Sequence, residues 1–331
     1  MAAGEQAIKA LTTPQPETTI ILPPMKKVII ITALLISFLL FLVSCTFPAP
    51  TLSPPPTSPT PGPGETPTHS PTPAPIPTPT TDELTVHFID VGQGDSILID
   101  LQDIEVLIDG GDRTPGVVPY LKNYVDGALE VMIATHPHAD HIGGLIDVLA
   151  VFEVKQIWHN GDTATSKTYS DFISAVNAEN AQIFQATRGN TIEADGLILK
   201  VLHPVDLNDT TNNNSIVLYL TYGEIDFLFT GDAEKEAEEA MLARSDMPVP
   251  DVEVLKVGHH GSRTASSQNF LAVTTPEVAV YMAGTGNSYG HPHQETLDSL
   301  AKIGAKIYGT DVNGTIVINT DGETFTTKTQ K

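Results

Sequence analysis

The sequence predicts an α/β domain with mixed sheets over residues 84–331, and three observations carry that reading. Short apolar segments with period-two alternation recur along this part of the chain. Stretches with helical spacing follow several of them. Several apolar segments end in His or Asp. Leu84, Val86 and Phe88 alternate with Thr85 and His87, and apolar runs follow at 97–99 and 106–108. These are expected to be three strands of one sheet. Gly92-Gln93-Gly94 reads as a tight turn rather than a phosphate loop, and Asp109 closes a strand beside Gly110-Gly111. A short helix is expected at 119–123, a strand at 131–134 and a helix at 145–151. Further strands are read at 154–159, 182–185, 197–201 and 215–221, with a helix at 169–178. A buried strand ends at Asp232, and a helix follows at 234–244. Strands at 252–257 and 278–282, a helix at 295–303 and hairpin-like strands around 306–309, 315–319 and 324–327 complete the domain.

The stretch with the strongest chemical content is Thr-His-Pro-His-Ala-Asp-His-Ile-Gly-Gly at 135–144. It places His136, His138, Asp140 and His141 directly after an apolar strand. Residues i and i+2 of an extended segment point the same way, so His136 and His138 can reach one ion. Asp140 and His141 then turn toward a second position, as a two-metal site with ions roughly 3.5–4 Å apart requires. The alternative is a solvated turn rich in His, which Pro137 and Gly143-Gly144 would permit. The chain has a single cysteine, Cys45, so a CxxC zinc ribbon and an intramolecular disulfide framework are excluded.

Here the chain resembles the metallo-β-lactamase superfamily, whose second motif is HxHxDH. More narrowly it is similar to the ComEC-type branch, through FIDVGQGDSILI at 88–99, LIDGG at 107–111, FLFTGD at 227–232, LKVGHHGS at 255–262 and YGHP at 289–292. The resemblance covers residues 84–331 and implies an αββα sandwich of two mixed sheets with the metals at one edge. It implies that Asp109 braces the metal loop from behind the ligands, the alternative being a turn cap. Asp232 falls where the family keeps a bridging carboxylate, which offsets the repulsion of two dications; the alternative is a cap of the following helix. His203 lies where the third metal motif is usual, so it is read as a ligand or as a structural residue. Adjacent histidines point apart on a strand, so only in a loop could His259 and His260 both reach the site. His260 is assigned to metal, and His259 to protonating a leaving group or holding a phosphoryl oxygen. Asp140 is given a catalytic as well as a ligand role, and His291 is a terminal ligand. Asn214, Ser215, Ser262 and Arg263 are expected near the substrate.

Before this domain, Met25-Lys26-Lys27 leads into an apolar run at 28–43 and then Ser44-Cys45. A charged start and an apolar stretch of secretory length suggest a signal segment, and residues 42–45 resemble a lipobox with Cys45 lipidated. An uncleaved single-span anchor is the competing reading. Residues 1–45 are thus taken as extension and anchor. Residues 46–83 form a Pro/Thr-rich stalk favouring polyproline II, in which no core can form.

Acidic residues number 40 against 17 basic, a net charge of −23, which weighs against a polyanion-collecting surface. The sequence therefore points to an extracytoplasmic, membrane-attached, monomeric hydrolase with two divalent ions, zinc or manganese. Its expected substrate is a phosphodiester, with DNA among the candidates. Two alternatives stay open: a small-ester, lactone or β-lactam hydrolase of the same fold, and a non-catalytic DNA-capture lipoprotein.

Overall fold

The computed structural model describes residues 83–208 and 210–331. The signal segment, the stalk and Cys45 lie outside the described residues. One sheet takes β1 (Leu84–Phe88), β2 (Ile97–Leu101), β3 (Ile104–Ile108), β4 (Leu129–Ala134), β5 (Val154–His159) and β6 (Gln182–Gln185). The second takes β7 (Thr191–Ala194), β8 (Leu197–His203), β9 (Val217–Tyr222), β10 (Ile225–Phe229), β11 (Val254–Lys256), β12 (Val278–Tyr281) and β13 (Lys306–Gly309). The chain then returns to the first sheet with β14 (Ile316–Thr320) and β15 (Phe325–Thr329). The spatial orders are β15-β14-β1-β2-β3-β4-β5-β6 and β13-β12-β11-β10-β9-β8-β7. Both sheets are mixed: β1, β2 and β3 pair antiparallel, whereas β3-β4-β5-β6 and β10-β11-β12-β13 run parallel.

Side-chain alternation explains the layers. Val86, Phe88, Ile97, Ile99, Ile108 and Ile133 face Leu199, Phe227, Phe229, Val254 and Val280 in one buried cluster between the sheets. Leu98, Leu107 and Met132, one residue out of phase, pack outward against α1 (Val118–Leu121), α2 (Ala139–Leu149) and α3 (Lys167–Ala178). Strands buried on both faces read as continuous apolar runs, which is why 131–134 and 106–108 carry no polar interruption. On the second sheet, Leu228, Leu255 and Ala279 meet α4 (Lys235–Leu242), α5 (Gln268–Thr274) and α6 (Gln294–Lys302). The result is an αββα sandwich. Each fully buried Phe, Leu or Ile contributes about 1.5–3 kcal/mol.

Several expected elements are corrected. The helix leaving the metal loop starts at Ala139 rather than 145, so Asp140 and His141 lie in its first turn. Gly143 and Gly144 are helical despite their weak propensity, because α2 presses on the backbone after β3. A Cβ on Gly144 would lie 2.0 Å from the Gly110 carbonyl oxygen. β13 is no part of a closing hairpin but pairs parallel with β12, and only β14 and β15 form the hairpin. β7 and α5 were not anticipated: each is short, and the alternation of β7 spans only four residues, buried Ile192 and Ala194 between exposed Thr191 and Glu193.

Candidate metal centre

The loop after β4 is anchored before it presents any ligand. Asp109, directly after β3, adopts the left-handed region (φ 57), a conformation that costs a non-glycine residue about 1 kcal/mol. Its carboxylate accepts from the Thr135 N–H at 2.8 Å, from the Thr135 hydroxyl at 2.6 Å and from His141 Nδ1 at 2.7 Å. With Thr135 Oγ1 donating to Asp109, it can accept from His136 Nδ1 at 3.2 Å, and Ser215 Oγ lies 3.3 Å from the same nitrogen. His260 Nδ1 meets the Met282 carbonyl at 2.9 Å. In each case the partner assigns the proton to Nδ1 and leaves the Nε2 lone pair free, the tautomer a metal ligand needs.

These lone pairs converge. Asp232 Oδ2, just past β10, lies 3.3 Å from both His141 Nε2 and His260 Nε2, and 3.7 Å from His136 Nε2. His136 Nε2 and His138 Nδ1 approach to 3.0 Å. His136, His138 and Asp232 form one group of ligand atoms mutually within 4.8 Å, and Asp95, His141, Asp232 and His260 form another, so Asp232 belongs to both. His141 Nε2, His260 Nε2 and Asp232 Oδ1 are buried and have no hydrogen-bond partner. Buried polar atoms are rarely left so. The donor set, imidazole and carboxylate with no thiolate, suits divalent ions such as zinc or manganese.

Protonation fits the same picture. Burial alone would lower the pKa of His141 and of His260, but the carboxylates of Asp232, Asp109 and Asp95 hold both well above the usual imidazole range. Burial opposes ionisation of Asp140 and Asp232, yet the neighbouring imidazoles keep both carboxyls below their usual range. Protons and metal therefore compete for the same Nε2 atoms.

The 3-10 turn at Gly258–Gly261 solves the adjacency problem of the paired histidines. His259 (φ 44) and His260 (φ 54) are both left-handed, so both rings turn to one side. His259 Nε2 lies 3.8 Å from Asp232 Oδ2, while its Nδ1 is held by Glu234 Oε1 at 2.8 Å. Thr264 donates to the same Glu234 oxygen at 2.9 Å and is itself bonded to Ser262 Oγ. Asp140 Oδ2 reaches His260 Nε2 at 3.3 Å. A pocket of about 310 Å³ opens over this cluster, with Gln93, Asn212, His259, Tyr289 and His291 among its walls.

Other expected site residues fall elsewhere. His203 Nε2 bonds the Asn213 carbonyl at 2.7 Å and ties β8 to the Asn-rich turn rather than joining either ligand group. His291 lines the pocket but is in neither group, because Asn287 bonds its backbone on both sides and sets the ring at the rim. Asn214 is saturated by Asp162, Asn208 and Asn160. Arg263 pairs with Glu295 at 3.2 Å on the surface. Ser215 sits behind the ligands, accepting from the Asp232 N–H at 3.1 Å. Asp232 caps no helix: the N-cap of α4 is Glu234.

Sequence reasoning missed Asp95, Glu234 and Lys256. Asp95 receives the fully buried Lys256 ammonium at 2.6 Å and lies 3.2 Å from His260 Nδ1. It thus braces His260 from behind. Burial would raise its pKa, but Lys256 and His260 keep it low. The signal was available: a Gly-x-Gly-Asp turn and a lysine in an otherwise apolar strand both need a reason.

Residues 89–285 match the metallo-beta-lactamase superfamily. The chain is 31% identical over 257 residues to ComE operon protein 3 of Bacillus subtilis (strain 168), covering 71% of this chain and 33% of that protein. It is 30% identical over 243 residues to recombination protein 2 of Haemophilus influenzae, covering 71% and 28%. It thus spans about a third of the length of these curated relatives. Among solved structures, the metallo-beta-lactamase fold protein YhfI from Bacillus subtilis aligns with a TM-score of 0.47 at 13% identity, over 72% of this chain and all of that one.

Proposed function

Since the chain belongs to the metallo-beta-lactamase superfamily, with relatives of the ComEC-type competence branch, we propose that it is a metal-dependent phosphodiesterase or nuclease acting outside the cell. The observation that carries the reading is the pair of ligand groups sharing Asp232. His136, His138 and Asp232 would hold one divalent ion, and His141, His260 and Asp232 a second, with Asp95 in the same group and Asp140, which is in neither group, 3.3 Å from His260 Nε2. Two such ions supply a polarised water nucleophile and neutralise charge at the reacting centre. The chain's own residues do the rest. Glu234 fixes His259 so that Nε2 faces the pocket, where a protonated ring can donate to a leaving oxygen. Asn212 and Gln93 supply neutral donors at the wall.

Among the described residues the pocket walls include no Lys or Arg, so a phosphodiester would be held by the ions and these polar groups rather than by a basic groove. Purified protein assayed for bound metal, then on bis-p-nitrophenyl phosphate, nitrocefin and single-stranded DNA, tests the reading. Hydrolysis of the diesters with nitrocefin intact is expected. Nitrocefin turnover alone would favour the acyl-hydrolase alternative, and DNA binding without turnover a capture protein. Among the described residues no helix is long and apolar enough to cross a membrane. Attachment through residues 28–45 is part of the proposal, with Cys45 lipidated; fatty-acid labelling lost in Cys45→Ser checks it.

A further inference from the structure

Among the described residues, the outer face of the first sheet is only partly covered. The apolar layer under α1, α2 and α3 draws on strands β2 to β5 and includes no residue of β14 or β15. Beyond it, a cavity of about 490 Å³ opens over β1, β14 and β15 beside α1, within the roughly 300–1,000 Å³ typical of small-molecule sites.

Its walls are chemically specific. Tyr120 and Tyr124 stack with ring centroids 4.9 Å apart, and the His87 ring lies 4.5 Å from Tyr124. Tyr124 is 40% exposed, so part of its ring is open to the cavity. His87 is only 2% exposed; its Nδ1 meets the Tyr120 hydroxyl at 2.8 Å, while its buried Nε2 has no hydrogen-bond partner. The nearest carboxylate oxygen, on Asp100, stands 3.9 Å away. Asn319 and Lys328 add an amide and an ammonium at the far wall.

We propose that this cavity is a second binding site, for a neutral saccharide. An aromatic face beside a carboxylate and an amide matches a sugar ring, whose C–H face packs on tyrosine and whose hydroxyls both donate and accept. A nucleic-acid base would also stack. Its phosphates, however, would meet Asp100, with Asp126 close enough to disturb its ionisation, against a single lysine. Burial lowers the His87 pKa to about 4, so the floor adds no positive charge at neutral pH. The site is separate from the metal centre and stands or falls independently of the hydrolase reading.

Calorimetric titration of the full chain with chitotriose, maltotriose and a ten-residue oligothymidylate tests it. One trisaccharide is expected to bind with a Kd on the order of 1 mM. Tyr124→Ala should weaken that binding about tenfold, and Tyr124→Phe, which keeps the ring, should retain it. Unchanged circular dichroism in both variants separates site loss from unfolding. Binding of neither saccharide, equal binding by Tyr124→Ala, or oligothymidylate binding abolished by Tyr124→Ala would each overturn the proposal.

Discussion

At the scale of single residues, the candidate ligands His136, His138 and His141 were legible because metal chemistry constrains type and spacing together. Asp95 and Lys256 each stood out alone, as an acid after a Gly-x-Gly turn and a lysine in an apolar strand, but only the fold brings β11 against the turn after β1 and makes them a pair. Asp232→Asn should leave the fold intact, since the side chain caps no helix. It removes the anion shared by both ligand groups, so metal content should fall by at least one ion per chain and diester turnover by 10²-fold or more. Mass spectrometry of the native protein and a turnover assay check this, and full activity would move Asp232 out of the centre. Glu105 makes a different prediction. It is 1% exposed, and burial together with the nearby Glu130, Asp126 and Asp100 pushes its pKa up to about 7. Because the folded value exceeds the unfolded one of about 4.3, the native state binds an extra proton between them. Stability is therefore fullest below that window and declines as pH rises through about 7. Glu105→Gln should raise the melting temperature at about pH 8 and change it little at about pH 4. Equal effects at both values would show that Glu105 ionises normally.

At the scale of elements, strands were read more faithfully than their partners. Alternation located β1 and β5 almost to the residue, because one or both faces are buried; β6, largely exposed, was found from its apolar pair Ile183-Phe184 alone. The start of α2 was misplaced since Gly143-Gly144 looks like a helix stop. Their cause is tertiary: the helix must touch the backbone at Gly110. Gly94 (φ +117) carries the same message, as a Cβ there would lie 2.0 Å from the Asp140 carbonyl oxygen. Gly144→Ala should therefore push α2 off its seat, and with it Asp140 and His141. We expect a loss of roughly 2–4 kcal/mol by chemical denaturation and weakened metal retention, whereas Gly127→Ala, where nothing lies within 4 Å, should be near neutral. Similar costs for both would remove the packing argument.

At the scale of the whole molecule, the ligand groups draw on both sheets. His136, His138 and His141 follow strands of the first, Asp232 and His260 strands of the second. Metal binding should thus stabilise the domain globally, by about 2.7 kcal/mol at a hundredfold excess over Kd. A chelator should lower the melting temperature of wild type but not of Asp232→Asn, and identical shifts in both would place the metal elsewhere. The return of the chain to the first sheet has a further consequence, for biosynthesis. β1 pairs with β14, Leu84 opposite Thr320, so the first strand to leave the ribosome waits for almost the last. Until then its edge is open and the inner layer lacks Ile316 and Ile318, a long-lived template for unwanted strand pairing. Nascent chains arrested at residue 310 should accordingly stay protease-sensitive and chaperone-bound, and those extended beyond 331 by a flexible linker should become resistant. Protection already complete at 310 would mean that the hairpin only decorates a sheet able to close without it.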